Sequence, residues 1–257
     1  MIGVVSKTGE LGLATLAASG RICLLLIQLL ISFPFVIRRY GLLLEQIYRV
    51  GVLTLPVIIV AALFVGLVLA LQGYNTLVDF GAESSLGLLL ALSLIRELGP
   101  VLAGLLFAGR AGAALTAEIG LMKATEQFAG MEMMAVDPVS RILLPRFIAG
   151  VISVPLLAMI FTSLGIYGGY WFAVGFLGVD PGPFWSVMQQ GVDFQHDIIN
   201  GLLKSLVFGV LISLIAVFMG YDARPTPTGV SMATTKTVVL SSLVVLVMDF
   251  SLTSLML

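Results

Sequence analysis

Charge is what this 257-residue sequence has least of: Asp, Glu, Lys and Arg together make up 11% of it, against about a quarter in an ordinary soluble domain. Lys and Arg number 13 and Asp and Glu 14, so there is no basic excess to hold a phosphate backbone, and a nucleic-acid binder is excluded. The single cysteine, Cys23, cannot close an internal disulfide, which excludes a disulfide scaffold and leaves the redox compartment open. The single histidine, His196, excludes a multi-histidine metal site. It stands between Asp193 and Asp197 and reads as a solvated loop residue. No G-x-x-x-x-G-K-[ST] is present to cradle ATP phosphates, no H-E-x-x-H, and no G-x-S-x-G elbow. An intramembrane hydrolase would need a nucleophile–base pair that these absences deny, so chemistry by this chain alone is not indicated.

What is there is apolar. Hydrophobic residues make up 59% and the mean hydropathy is +1.13. A membrane-crossing helix needs roughly 20 apolar residues, and five stretches supply them: Val50 to Gln72, Ser84 to Gly109, Phe147 to Val179, Ile198 to Tyr221 and Thr237 to Leu257. The third has slack for tilt or a re-entrant turn. None alternates apolar with polar residues as a barrel strand does. The expected fold is therefore an all-α polytopic membrane protein, one domain over residues 1–257, with five transmembrane helices. Residues 1–49 form a separate N-terminal segment. Within it, Leu11 to Ile37 is broken by Gly20, Arg21 and Pro34 and followed by Arg38-Arg39, a pattern suited to a helix lying in the membrane interface. A cleaved signal around residues 17–20 is the alternative, disfavoured by Glu10 in the flank that should be basic.

Basic residues are distributed by side. With the N-terminus inside, Lys7, Arg21, Arg38, Arg39, Arg49, Arg110, Lys123, Arg141, Arg146, Arg224 and Lys236 all fall in cytoplasmic segments. The opposite segments, Gly73–Glu83 and Asp180–Asp197, contain no Lys or Arg but carry Asp79, Glu83, Asp180, Asp193 and Asp197. The positive-inside rule then gives a cytoplasmic N-terminus and a C-terminus on the far side.

The segment between the second and third spans begins with small residues, Ala108, Gly109 and Ala111 to Ala114, that let helices approach closely. It then turns amphipathic, with Ile119, Met122, Phe128 and Met131 set against Lys123, Glu126 and Glu132. The methionines at 122, 131, 133 and 134 make an adaptable apolar surface that suits a partner groove. Packing on the chain's own bundle is the competing reading. Asp137-Pro138 is expected to end this helix.

The stretches GRAGAALTAEIGLMKATEQ (109–127) and MEMMAVDP (131–138) closely resemble the signature of the MlaE family, permease subunits of ABC transporters that work with MCE proteins on phospholipids. RELGPVLAGLLFAGRAG (96–112), LQGY (71–74) and GYDARPT (220–226) are similar too, so the resemblance covers nearly the whole chain. It implies a homodimeric, non-catalytic permease in the inner membrane of a Gram-negative cell, moving phospholipids between that membrane and a periplasmic partner and so maintaining outer-membrane lipid asymmetry. Its implied partners are an MlaF-like cytoplasmic ATPase that holds the ATP and Mg, an MlaB-like STAS-domain protein and a periplasmic MlaD-like MCE hexamer. No cofactor is implied in this chain. The family's coupling helix, which enters a groove of the ATPase, maps within residues 119–146 onto Ala124 to Val136. Its implied contacts are Glu126, Met131, Glu132, Met133 and Met134, with Asp137 at its end.

Four charges, Arg96, Glu97, Lys204 and Asp249, fall inside spans. Each costs about 2.5–3.5 kcal/mol at a helix centre unless it faces the bundle interior and pairs. Arg96 and Glu97 point about 100° apart on a helix, so one partner does not serve both. Lys204 is expected to neutralise Asp249 or Glu97, and Arg96 to reach a carboxylate or a lipid phosphate. The network either fixes how spans two, four and five pack or takes part in transport. Leu69, Gly73, Leu77 and Phe80 form one helical stripe at the end of the first span. The resemblance implies an outward-opening dimer cavity near that level. Leu69, Leu77, Phe80 and Leu98 are therefore expected as lipid-tail contacts, with Arg96 or Glu97 at the headgroup. A different reading of the charges is a secondary transporter relaying protons through Glu97, Lys204 and Asp249. It would need inverted repeats, into which five spans divide badly.

Overall fold

The computed structural model describes residue 17 and residues 20–34 and 40–256. Lys7, Glu10, Arg38 and Arg39 lie outside the described residues, as do residues 18 and 19 of the possible signal-cleavage region. The described residues form helices and connecting turns, without strands. In order these are α1 (Gly20–Pro34), α2 (Tyr40–Val50), α3 (Leu55–Val78), α4 (Glu83–Ala124), α5 (Gln127–Met133), α6 (Val139–Gly175), α7 (Pro181–Gly191), α8 (Phe194–Asp222) and α9 (Pro227–Met256). α2 passes into α3 through one tight turn at Val52–Thr54, and together with α4, α6, α8 and α9 they make five helices long and apolar enough to cross a membrane.

Side chains that suit a first turn start these helices. Asp137 accepts from the amides of Val139 (3.0 Å) and Ser140 (3.0 Å) at the head of α6. Asp180 accepts from Gly182 N (3.0 Å) at α7, and Asp193 from Gln195 N (2.9 Å) at α8. Thr226 accepts from Gly229 N (3.1 Å) at α9. Each removes an orphan donor that a helix N-terminus would otherwise leave unpaired.

α6 and α8 occupy the middle of the bundle, burying Phe161 and Phe208 with Phe107 of α4. α3 crosses α6 backbone to backbone: a Cβ on Gly66 would collide with the Gly165 carbonyl, which is the close approach that small residues permit between membrane helices. α3 and α9 lie at the periphery and turn Phe64, Val68, Val247 and Phe250 outward. Four wide, π-helical turns interrupt the long helices, at Leu94–Leu98 and Ala108–Gly112 in α4, Val139–Leu143 in α6 and Phe194–Ile198 in α8.

The bundle has two ends. One carries α5 and the turns at 134–138 and 223–226, the other α7 and the turns at 79–82 and 192–193. α1 sits at the α5 end, where Leu25 and Leu29 join a cluster with Ile142, Leu143 and Leu214, and Arg21 pairs with Asp222 at 3.3 Å. Leu24, Ile27, Leu30 and Ile31 of α1 face outward, so both sides of this helix are apolar.

Three sequence expectations change. The amphipathic stretch after the second span is two helices, because Glu126 adopts a left-handed conformation (φ 57°) that stops α4 at Ala124 and restarts the chain as α5. α5 then ends at Met133 with Ala135 also left-handed (φ 55°), and Asp137 starts the next helix instead of ending this one. The slack expected within Phe147 to Val179 is taken up by α6 itself, one continuous helix to Gly175 with no re-entrant turn, and α7 follows it, packed through the buried Phe184 and its edge-on contact with Tyr170 at 5.3 Å.

Candidate functional site

Near the α7 end, wide turns of α4 and α8 face each other and bring the in-span charges together. Lys204, its side chain only 3% exposed, donates to Glu97 Oε1 at 3.0 Å, the Arg96 carbonyl at 2.9 Å and Thr253 Oγ1 at 2.8 Å. Those three contacts use all three ammonium hydrogens, which is what a buried lysine requires. Asp249 Oδ1 lies 3.7 Å from the same nitrogen, an ion-pair contact outside hydrogen-bond range. Glu97 is thus the hydrogen-bonded partner of Lys204 and Asp249 its second counter-charge. Thr253, one turn after Asp249 on α9, fixes the arrangement, its hydroxyl within 2.8 Å of the Asp249 carbonyl and 3.2 Å of Glu97 Oε1.

Arg96 turns the other way, as expected of its helical neighbour, and donates through Nε to Asp197 Oδ1 at 2.6 Å. Asp197 is the residue that sequence reasoning left in the outer loop. α8 begins at Phe194, earlier than expected, and its first turn buries Asp197 completely, with Oδ2 accepting from Asp193 N at 2.8 Å. The spacing of Asp193 and Asp197, one turn apart just ahead of an apolar run, was the available signal for a cap and an inward carboxylate.

Arg96 and Glu97 remain about half exposed and line a small pocket of about 100 Å³ with Asn200, Lys204, Thr253 and the exposed His196. On a neighbouring face of α8 an apolar groove of about 260 Å³ runs between α4, α6 and α8, lined by Ile95, Met159, Ile166, Ile198 and Leu202 among others. Charged pocket and greasy groove together suit an amphiphile. Among the described residues, no cluster of three or more metal-ligating side chains occurs.

The expected tail contacts divide. Leu69, Leu77 and Leu98 are half-buried and pack on the chain's own core. Phe80 is 80% exposed but lies beyond the end of α3 at Val78, so the four-residue stripe does not continue to it. The groove beside Ile95 and Ile198 was missed because its lining comes from three helices and no single helix carries its pattern.

At the α5 end, Met122, Phe128 and Met131 face inward, and Phe128 packs against the Tyr221 ring at 5.8 Å. Lys123 donates to the Tyr221 carbonyl at 2.6 Å, tying the end of α4 to the end of α8. Glu126, Glu132, Met133, Met134 and Asp137 are exposed, Met133 by 85% and Met134 by 69%. The methionines therefore serve both of the roles weighed from sequence, two packing inward and two facing out.

The family model "Permease MlaE" matches residues 43–255. The chain is 52% identical over 256 residues, 100% of its own length and 98% of the relative's, to the intermembrane phospholipid transport system permease protein MlaE of Haemophilus influenzae. It is 41% identical over 219 residues, 84% of this chain and 83% of the relative, to a probable ABC transporter permease of Rickettsia prowazekii. With the chloroplastic protein TRIGALACTOSYLDIACYLGLYCEROL 1 of Arabidopsis thaliana it shares 30% over 211 residues, 82% of this chain and 60% of that protein.

Proposed function

The chain belongs to the MlaE permease family, and from that premise we propose that it is the phospholipid-conducting, non-catalytic subunit of an ABC transporter. It works as a homodimer in a Gram-negative inner membrane, with ATP and Mg held by an MlaF-like ATPase, an MlaB-like subunit beside it, and an MlaD-like MCE hexamer on the periplasmic side. The α5 end faces the cytoplasm: Arg21, Arg49, Lys123, Arg141, Arg146, Arg224 and Lys236 gather there, and the α7 end has acidic residues in their place.

The observation that carries this reading is the charged pocket lying against an apolar groove within the spans. Arg96 offers a cation to a phosphate and Glu97 an anion to a headgroup amine, both held by the buried Lys204 and Asp197 and by Asp249 around them, while the groove takes acyl chain. Leu69, Leu77, Leu98 and the exposed Phe80 border the same end and complete the tail surface in the dimer. The exposed face of α5, with Glu126, Glu132, Met133 and Met134 and with Asp137 behind it, enters the ATPase groove. Its inner face transmits the ATPase's movement through Phe128 to α8, the helix that bears Lys204, beside the Lys123 contact that ties the end of α4 to the same helix.

The test is transport by the purified complex in proteoliposomes, followed as transfer of labelled phospholipid to the periplasmic partner. Transfer is expected to require ATP and to fall about tenfold or more when Lys204 becomes alanine, because Glu97 then loses the buried ammonium that pairs with it. A chain that purifies without an ATPase, or transfer driven by a proton gradient in the absence of ATP, overturns the reading. The proton-relay alternative finds no support in the family to which the chain belongs.

A further inference from the structure

A second cluster of cations lies at the other end of α4. A cavity of about 260 Å³ opens between α2 and α4, walled by Arg49, Arg110 and Glu118 and by the apolar Val50, Leu53 and Leu115. Arg110 stands in the second wide turn of α4, 14 residues after Arg96, so about 21 Å separates them along the helix, most of the roughly 30 Å thickness of the hydrocarbon layer.

The electrostatics of the two ends differ. Arg96, Arg146 and Lys204 each have a carboxylate within 4.0 Å. Arg110 has none among the described residues, and it is half-buried. It is nevertheless held in place: Nη1 donates to the Arg49 carbonyl at 2.8 Å and to Thr54 Oγ1 at 3.1 Å. Nε and Nη2 have no partner among the described residues, although a guanidinium carries five donors in a rigid fork. A fixed cation with spare donors and no counter-charge, at membrane depth, is an incomplete site. Arg49 adds a second guanidinium whose one ion pair among the described residues, with Glu45 at 2.7 Å, is half exposed on both sides and so easily exchanged. Glu118 contributes a carboxylate that is 41% exposed and paired to Arg146 at 3.3 Å.

We propose that this cavity binds the phosphodiester headgroup of a glycerophospholipid at the cytoplasmic end of the permease, with Arg110 and Arg49 on the phosphate and Glu118 facing a headgroup amine. The apolar wall distinguishes the occupant from free phosphate or a nucleotide, since Leu53, 46% exposed beside the cations, offers those anions nothing, whereas acylglycerol covers it. The inference rests on the phospholipid reading above and extends it: one protomer then holds a headgroup at each end, and the molecule has a built site for lipid of the cytoplasmic leaflet.

Photo-crosslinking in the assembled complex tests this. A benzophenone amino acid replaces the exposed Ala114 of the cavity wall, and in a separate protein Asn200 of the outer pocket, in proteoliposomes containing radiolabelled phosphatidylethanolamine. The Ala114 position is expected to label lipid. Arg49→Gln and Arg110→Gln should each lower that labelling about tenfold, as loss of charge-assisted hydrogen bonds to phosphate implies, while labelling at 200 is unchanged. Arg49→Gln is the cleaner variant, because Arg110 is anchored on the Arg49 backbone and keeps its position. Labelling at 114 that neither variant lowers means ordinary bilayer contact and overturns the site. Labelling suppressed by excess inorganic phosphate or ATP identifies an anion site that is not for lipid, and overturns it as well. Labelling at 200 but not at 114 defeats this inference alone, and labelling at neither defeats the phospholipid reading beneath it.

Discussion

Lys204 is the residue on which the outer cluster turns. It is almost wholly buried, and its three hydrogens are divided between Glu97, Thr253 and the Arg96 carbonyl. Breaking one partner of such a pair strands a charge, which costs about 3–5 kcal/mol where burial is complete. Geometry then ranks the carboxylates. Exchanging Glu97 and Lys204 (Glu97→Lys with Lys204→Glu) is expected to recover measurable lipid transfer relative to either single change, and exchanging Lys204 with Asp249 is not, because 3.7 Å separates that second pair. Equal recovery by both swaps would make the pairing interchangeable and the ranking wrong. Thr253→Val removes an acceptor from Lys204 and should cost about 1 kcal/mol, read as a lowered melting temperature of the detergent-solubilised protein. The need of these charges for partners was legible in the sequence because charge is so scarce there. The choice of partner was not: Asp197 belongs to a loop until the early start of α8 folds it inward, and Lys204 selects between two carboxylates on different helices by a difference under 1 Å.

At the scale of the element, α5 separates its two faces by exposure. Met133→Asp and Met134→Asp alter side chains already in solvent, so the chain should insert and purify at normal yield while losing most of its bound ATPase. Met131→Asp places a charge against Phe128, Ile119 and Leu143 and should lower the yield of the chain itself. If all three lose the ATPase with unchanged yield, α5 is not docked on its own bundle. The long spans could be read directly, since runs of about 20 apolar residues leave few alternatives in a membrane. The break at Thr125–Glu126 could not. The left-handed residue there is a glutamate, with neither glycine nor proline to announce it, and only the docking of Phe128 on Tyr221 explains why the turn is kept.

For the whole molecule, orientation is the measurable quantity. With Cys23 replaced by serine, a cysteine introduced at Thr125 is expected to be shielded in intact spheroplasts from a membrane-impermeant maleimide, and one at Ser186 on α7 to be modified. The reverse pattern inverts the assignment of both ends and with it the partners of each. The basic asymmetry is what gives the sequence an expectation of sidedness, and this labelling tests it. The existence of two separate polar cavities was not readable, because each is assembled from residues at least 60 positions apart, such as Arg49 with Arg110 or Arg96 with Asp197.

The wide turns in α4 also set a clock. Each absorbs one extra residue relative to a regular helix, so removing one residue from Leu94–Leu98 restores regular winding with little change of phase beyond it, whereas removing one from the regular stretch Gly99–Phe107 rotates everything beyond it by about 100°. Arg110 would swing away from Thr54 while every apolar residue stayed apolar, a frameshift of faces in a protein whose composition had barely changed. Such a deletion should be rescued by a single inserted residue between 99 and 109 and by none after 124. The distance between the two charged ends is in this sense inherited as a phase as well as a length.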